Sequence, residues 1–143
     1  MTSSQLQELT AQAKQASGRA YAPYSNFPVG ASVLLRDGRI FSGCNVENAS
    51  YGLTSCAERN AIFKAKSETD GDIEIIAVVV YTPTDDATPP CGACRQVINE
   101  FGPKAEVFAA CKGIDTPTSS DPLEGLLPKA FGPKNLEDSS GSD

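Results

Sequence analysis

The chain contains no histidine. That absence removes Ser-His-Asp and Cys-His catalysis and the His-Glu-x-x-His metalloprotease helix, all of which need imidazole, and leaves cysteine and carboxylate chemistry. Positive charge is scarce as well. Twelve Lys and Arg stand against 18 Asp and Glu, a net charge of -6, which is a poor footprint for neutralising phosphates and argues against a nucleic-acid partner. No apolar run approaches the ~20 residues needed to span a bilayer. The polar start Met1-Thr2-Ser3-Ser4-Gln5 lacks the basic and apolar regions of a signal peptide, so a cytoplasmic protein without a membrane partner is expected. There is no internal repeat, and 143 residues suit one domain with a real core.

Cysteine is what the chain has instead. Five thiols without a secretion signal fit a reducing compartment, and their odd number fits ligands or core residues better than paired bridges. Cys44 and Cys111 lie in strand-like runs and read as small buried residues. The other three form a pattern, Cys56-Ala57-Glu58 followed by Pro90-Cys91-Gly92-Ala93-Cys94. A bare Cys-x-x-Cys is shared by zinc knuckles and redox sites, but a third cysteine two residues before a glutamate is far more specific. A catalytic zinc takes three protein ligands and leaves its fourth position to water, so Zn²⁺ is the expected cofactor and Cys56, Cys91 and Cys94 its ligands.

Cys91 and Cys94 are three apart and present their sulfurs together on one helical turn, with Cys56 arriving from the start of another helix. Both helix N-termini favour thiolate over thiol. Glu58, two residues from Cys56, can reach the open position without being a ligand, which is the place of a proton shuttle. The spacing ligand-x-Glu followed by Pro-Cys-x-x-Cys resembles that of the zinc-dependent nucleoside deaminases, and the resemblance implies a reaction that needs hydroxide at carbon 4 of an aminopyrimidine and protons on the ring nitrogen and the departing amine, all of which one carboxylate can relay. Three thiolates leave a zinc site with charge -1. Arg59, three residues beyond Cys56, is therefore expected to donate to a ligand sulfur, and Arg95, next to Cys94, is a second candidate.

The rest of the chain reads as alternating helices and strands. Leu6, Leu9, Ala13, Ala16 and Ala20 give a first amphipathic helix. Residues 29–35 and 39–46 form an antiparallel pair around Asp37-Gly38. A helix capped by Thr54 or Ser55 runs from 55 to about 66 with Cys56 in its first turn. A strand buried on both faces follows at 73–81, then a helix at 91–101 and a strand at 105–111. Residues 115–122 are turn-rich, 123–127 form one helical turn, and 135–143 are an acidic tail too polar to order itself, beyond a catalytic domain of residues 1–134. This order implies an α/β sandwich whose two cysteine-bearing helices begin at strand ends.

The motifs Phe27-Pro28-Val29-Gly30-Ala31, Asn45-Val46-Glu47-Asn48-Ala49-Ser50-Tyr51, Cys56-Ala57-Glu58-Arg59, Pro90-Cys91-Gly92-Ala93-Cys94-Arg95-Gln96, and Leu126-Leu127-Pro128 before Phe131-Gly132-Pro133 resemble, in order, the small three-cysteine cytidine deaminases. The resemblance implies a three-layer α-β-α sandwich around a mixed five-stranded sheet, and hydrolysis of cytidine and deoxycytidine to uridine and deoxyuridine with release of ammonia. It also implies that Asn45 and Glu47 bind the ribose 3′-hydroxyl, that Phe27 lies beside the base, and that the Ala57 N–H meets the pyrimidine 2-carbonyl. Tyr51 and Phe131 match subunit contacts of a homotetramer in which Phe131 reaches a neighbour's site. The sequence departs from the family's habit at Pro89, where Ser or Thr is commoner; the backbone carbonyl needed there survives the change.

Two other classes stay open on sequence alone. Cys44 or Cys111 could complete a structural zinc site, and Cys91 with Cys94 could be a redox pair.

Overall fold

The computed structural model of the protein describes residues 1–113 and 115–141, the last four of these by their backbone alone. In chain order the elements are α1 Ser3–Ser17, β1 Gly30–Leu35, β2 Ile40–Cys44, a 3-10 turn Tyr51–Leu53, α2 Ala57–Ser67, β3 Ile75–Tyr81, α3 Gly92–Phe101, β4 Glu106–Ala110, β5 Ser119–Pro122, α4 Leu123–Leu126 and α5 Pro133–Gly141. The strands form one mixed sheet in the order β2-β1-β3-β4-β5. β1 is antiparallel to β2 and β3, β3 is parallel to β4, and β5 returns antiparallel to β4.

The two-residue period of the strands divides the core into two clusters. Ala77, Val79 and Tyr81 of β3 face one way, with Leu34 of β1 and Leu9 and Ala13 of α1. Val78 and Val80 face the other, against Val33, Ala61 and Ile62 of α2, Ile98 of α3 and Leu123 of α4. The result is the expected three layers. Each fully buried Ile or Leu in them contributes ~1.5–3 kcal/mol relative to an exposed one. Helix α1 starts with a capping box, in which the Thr2 hydroxyl accepts from the Gln5 N–H (3.1 Å) and the Gln5 side chain accepts from the Thr2 N–H (2.9 Å). It stops at Ser17, short of the expected Ala20.

Two glycines set how closely the helices approach the sheet. A Cβ on Gly30 would lie 1.8 Å from the Ala13 carbonyl oxygen, and one on Gly43 would lie 2.6 Å from the Ala61 nitrogen. The backbones of α1 and α2 therefore rest directly on β1 and β2. Because β2 and β3 are both antiparallel to β1, β2, β3 and β4 all point the same way. Their C-terminal ends share one edge of the sheet, where α2 and α3 begin and where such sheets place ligands.

Two expectations change. The turn-rich segment contributes a strand, β5, and the segment expected to be a disordered tail is helical over Pro133–Gly141. Pro133 presets the helical φ, and Gly132 and Asn135 exchange hydrogen bonds of 2.8 and 2.9 Å that close the first turn. Residues 142 and 143 lie outside the described residues.

Candidate active site

Helix α2 starts two residues later than expected and α3 one residue later, so Cys56 and Cys91 are N-cap residues with extended backbone rather than first-turn residues. An N-cap side chain ordinarily accepts from the first turn. Neither thiol makes such a bond, and each Sγ instead turns toward the other and toward Cys94. Cys56 and Cys91 Sγ are 3.9 Å apart, Cys91 and Cys94 Sγ 3.4 Å, and all three lie within 4.8 Å of one another. Tetrahedral zinc with bonds of ~2.3 Å sets its sulfurs about 3.8 Å apart, so this donor set fits the ion. Among the described residues the group holds three ligands, and neither Cys44 nor Cys111 joins it.

The cluster is strongly polarised. The Cys56 thiol is pushed down to about 5 by the hydrogen bond from Cys94 and, against the cost of its burial, by the Arg59 guanidinium. Cys94 is pushed up by the same bond to Cys56 and by its burial, with the Glu58 charge adding to both. Protons are thus shared among sulfurs that repel once they all ionise, a penalty that a divalent cation removes. Arg59 Nη2 donates to Cys56 Sγ at 3.2 Å, as expected, and its Nε is buried without an acceptor among the described residues.

Glu58, only 4% exposed, stands on the first turn of α2, where burial foremost raises its carboxyl above the usual range. Cys56, Ala57, Glu58 and Cys91 line a cleft of about 330 Å³ that also carries Phe27, Asn45 and Glu47. Ala57 is fully buried and is the first residue of α2, so its N–H has no acceptor within the helix. Asn45 ties down the loop opposite: its Oδ1 accepts from Val29 N at 2.8 Å and its Nδ2 donates to Phe27 O at 2.9 Å. Glu47 accepts from the N–H groups of Tyr24 (3.0 Å) and Ser25 (3.2 Å) and from the Ser25 hydroxyl. That hydroxyl above all holds the Glu47 carboxyl below its usual range.

Comparison with known proteins agrees with this geometry. The family model for the cytidine and deoxycytidylate deaminase zinc-binding region matches residues 3–110. The chain belongs to that family. A cytidine deaminase of Halalkalibacterium halodurans is 45% identical over 132 residues, 92% of this chain and 98% of that protein. One from Mycobacterium tuberculosis is 44% identical over 128 residues, 90% of each. Among solved structures, cytidine deaminase from Burkholderia pseudomallei superposes with a TM-score of 0.81 at 46% identity, covering 92% of this chain and all of that one.

Within this deaminase fold several residues take places that sequence reasoning did not assign. Arg95 does not reach sulfur; its Nε donates to Pro90 O at 2.8 Å and its Nη1 to Leu126 O at 3.0 Å, bracing the loop before Cys91 against α4. The residue after Cys94 is turned about 100° away on the helix, which takes its side chain off the metal side. Asn60 Nδ2 donates to Cys44 O at 2.7 Å while its Oδ1 accepts from Ser55 Oγ at 2.7 Å, joining the end of β2 to the residue before Cys56. Nothing in the sequence pattern singles out Asn60. Phe131 is 60% exposed and lies apart from the cleft, its carbonyl held by Gln96 (2.8 Å) and Asn99 (3.3 Å). Tyr51 is exposed too, with the Tyr24 ring set edge-on to it at 6.0 Å. Among the described residues no helix is long and apolar enough to cross a membrane.

Proposed function

We propose that this chain is a zinc-dependent hydrolase that converts cytidine and deoxycytidine to uridine and deoxyuridine with release of ammonia, a step of pyrimidine salvage. The observation that carries it is the meeting of three sulfurs beside a buried carboxyl, at a cleft that also carries Asn45 and Glu47. Cys56, Cys91 and Cys94 would hold the zinc, which when bound acidifies water and supplies a nucleophile at neutral pH. Glu58 takes a proton from the attacking water and passes it to the ring nitrogen as the oxygen–carbon 4 bond forms, then moves the remaining proton of that oxygen to the amine as the carbon–nitrogen bond breaks and the carbonyl forms. The Ala57 N–H, at the positive end of α2, receives the 2-carbonyl, and Phe27 offers its face to the base. Arg59 offsets the charge of the thiolates.

Asn45 and Glu47 take the sugar. The amide spends one donor and one acceptor on the loop and keeps one of each, and the carboxylate accepts three bonds of about four possible. The remainder matches a hydroxyl, which donates to Glu47 and accepts from Asn45. A net charge of -6 favours a nucleoside over a 5′-phosphate. The exposed Phe131 supports a homotetramer in which it covers a neighbour's cleft, and five unpaired cysteines support a cytoplasmic setting.

Ammonia release measured across cytosine, cytidine, deoxycytidine and deoxycytidine monophosphate tests this reading. The two nucleosides should lead, and Asn45→Ala should erase much of their advantage over the free base. Equal turnover of cytosine and cytidine would contradict the sugar assignment.

A further inference from the structure

One hydroxyl, that of Ser25, joins the loop that carries Phe27 to Glu47. Ser25 Oγ can donate only one proton, and Glu47 Oε2, as a carboxylate oxygen, can only accept, so that proton goes to Glu47. The oxygen then uses a lone pair to accept from the Phe27 N–H at 3.1 Å, two residues on. This closes a serine turn around Asn26, whose φ of 54° is the left-handed conformation that asparagine tolerates. Ser25 also lines the cleft between Phe27 and Glu47. We infer that Ser25 is a positioning residue and sets the enzyme's preference for a sugar hydroxyl: it fixes which Glu47 lone pair faces the cleft while holding Phe27 at the base. This rests on the proposed role of Glu47 toward the ribose 3′-hydroxyl.

With Oε1 occupied by two backbone N–H groups and Oε2 by Ser25, the carboxylate cannot rotate without breaking three bonds at once. Removing the Ser25 hydroxyl frees Oε2 and the Phe27 N–H together, whereas a threonine keeps both bonds.

The test compares Ser25→Ala and Ser25→Thr with the parent enzyme, loaded with zinc, on cytidine and on 3′-deoxycytidine. In Ser25→Ala the KM for cytidine should rise about tenfold with kcat changed less than about threefold, the size of one lost charge-assisted hydrogen bond. The KM for 3′-deoxycytidine should rise less than about threefold, and Ser25→Thr should restore parental values. An equal rise for both substrates, no rise for either, or failure of threonine to rescue would overturn the inference. If the parent already treats the two nucleosides alike, the sugar role of Glu47 fails first, and that of Ser25 falls with it.

Discussion

Glu47 shows how one side chain in the cleft acquires its state. The Ser25 hydroxyl and the Tyr24 and Ser25 amides stabilise its ionised form, so the folded protein binds a proton there less readily than the unfolded chain does. The associated stability is present above the ordinary glutamate value of about 4.3 and is lost as pH falls through the lower folded value. The melting-temperature difference between the parent and Glu47→Gln should therefore stay constant from pH 8 to about 5 and shrink only below that. A difference that persists unchanged into acid, or that grows on the alkaline side, would refute the assignment. Some of this scale was legible in the sequence. Arg59 lies three residues from Cys56, and helical spacing alone puts the two side chains together. The Glu47–Ser25 clamp was not legible, because it joins residues 22 apart through a loop with no periodicity.

At the scale of elements, the sequence showed β3 plainly, since a run of Ile and Val buried on both faces leaves little alternative. It hid β5, whose residues Ser119-Ser120-Asp121-Pro122 carry no apolar alternation and are aligned by pairing with β4 rather than by burial. It also misplaced the start of α2, because Thr54 and Ser55 are the better caps in isolation, while the sulfur cluster takes Cys56 at that position. The element that matters most to the site is α2, which brings Cys56, Ala57 and Glu58 and sits on Gly43. Gly43→Ala places a methyl against the Ala61 backbone and must push the helix outward. The expected result is a loss of about 1–3 kcal/mol in stability, typical of overpacking, together with zinc below one per chain at equal total metal. Calorimetry and metal analysis would check this; unchanged values for both would mean that α2 is not positioned by that contact.

At the scale of the whole molecule, the apolar groups left outside are as informative as the core. Tyr51, Leu53 and Phe131 are 76%, 70% and 60% exposed, and covering them with neighbouring subunits would take that apolar surface out of water. In the assembly proposed above, Phe131→Ala should raise the KM for cytidine in the intact oligomer, and dilution to subunits should abolish activity. A fully active monomer in sedimentation at assay concentration would exclude shared sites. The three-layer architecture and the meeting of the three cysteines were legible because short ordered motifs fix them. The exposed surfaces were legible only through the family resemblance, since an aromatic beside a glycine and a proline has no pattern of its own.

The central claim is that Glu58 moves the protons of a zinc-dependent deamination. Its most direct test is the rate at which zinc-loaded Glu58→Gln converts cytidine to uridine, measured beside the parent at equal metal content. Glutamine keeps the size and burial of the side chain but cannot relay a proton, so the rate should fall by at least about a thousandfold while zinc and melting temperature are retained. A variant within about tenfold of the parent, or a zinc-loaded parent that releases no ammonia from cytidine, would contradict the account.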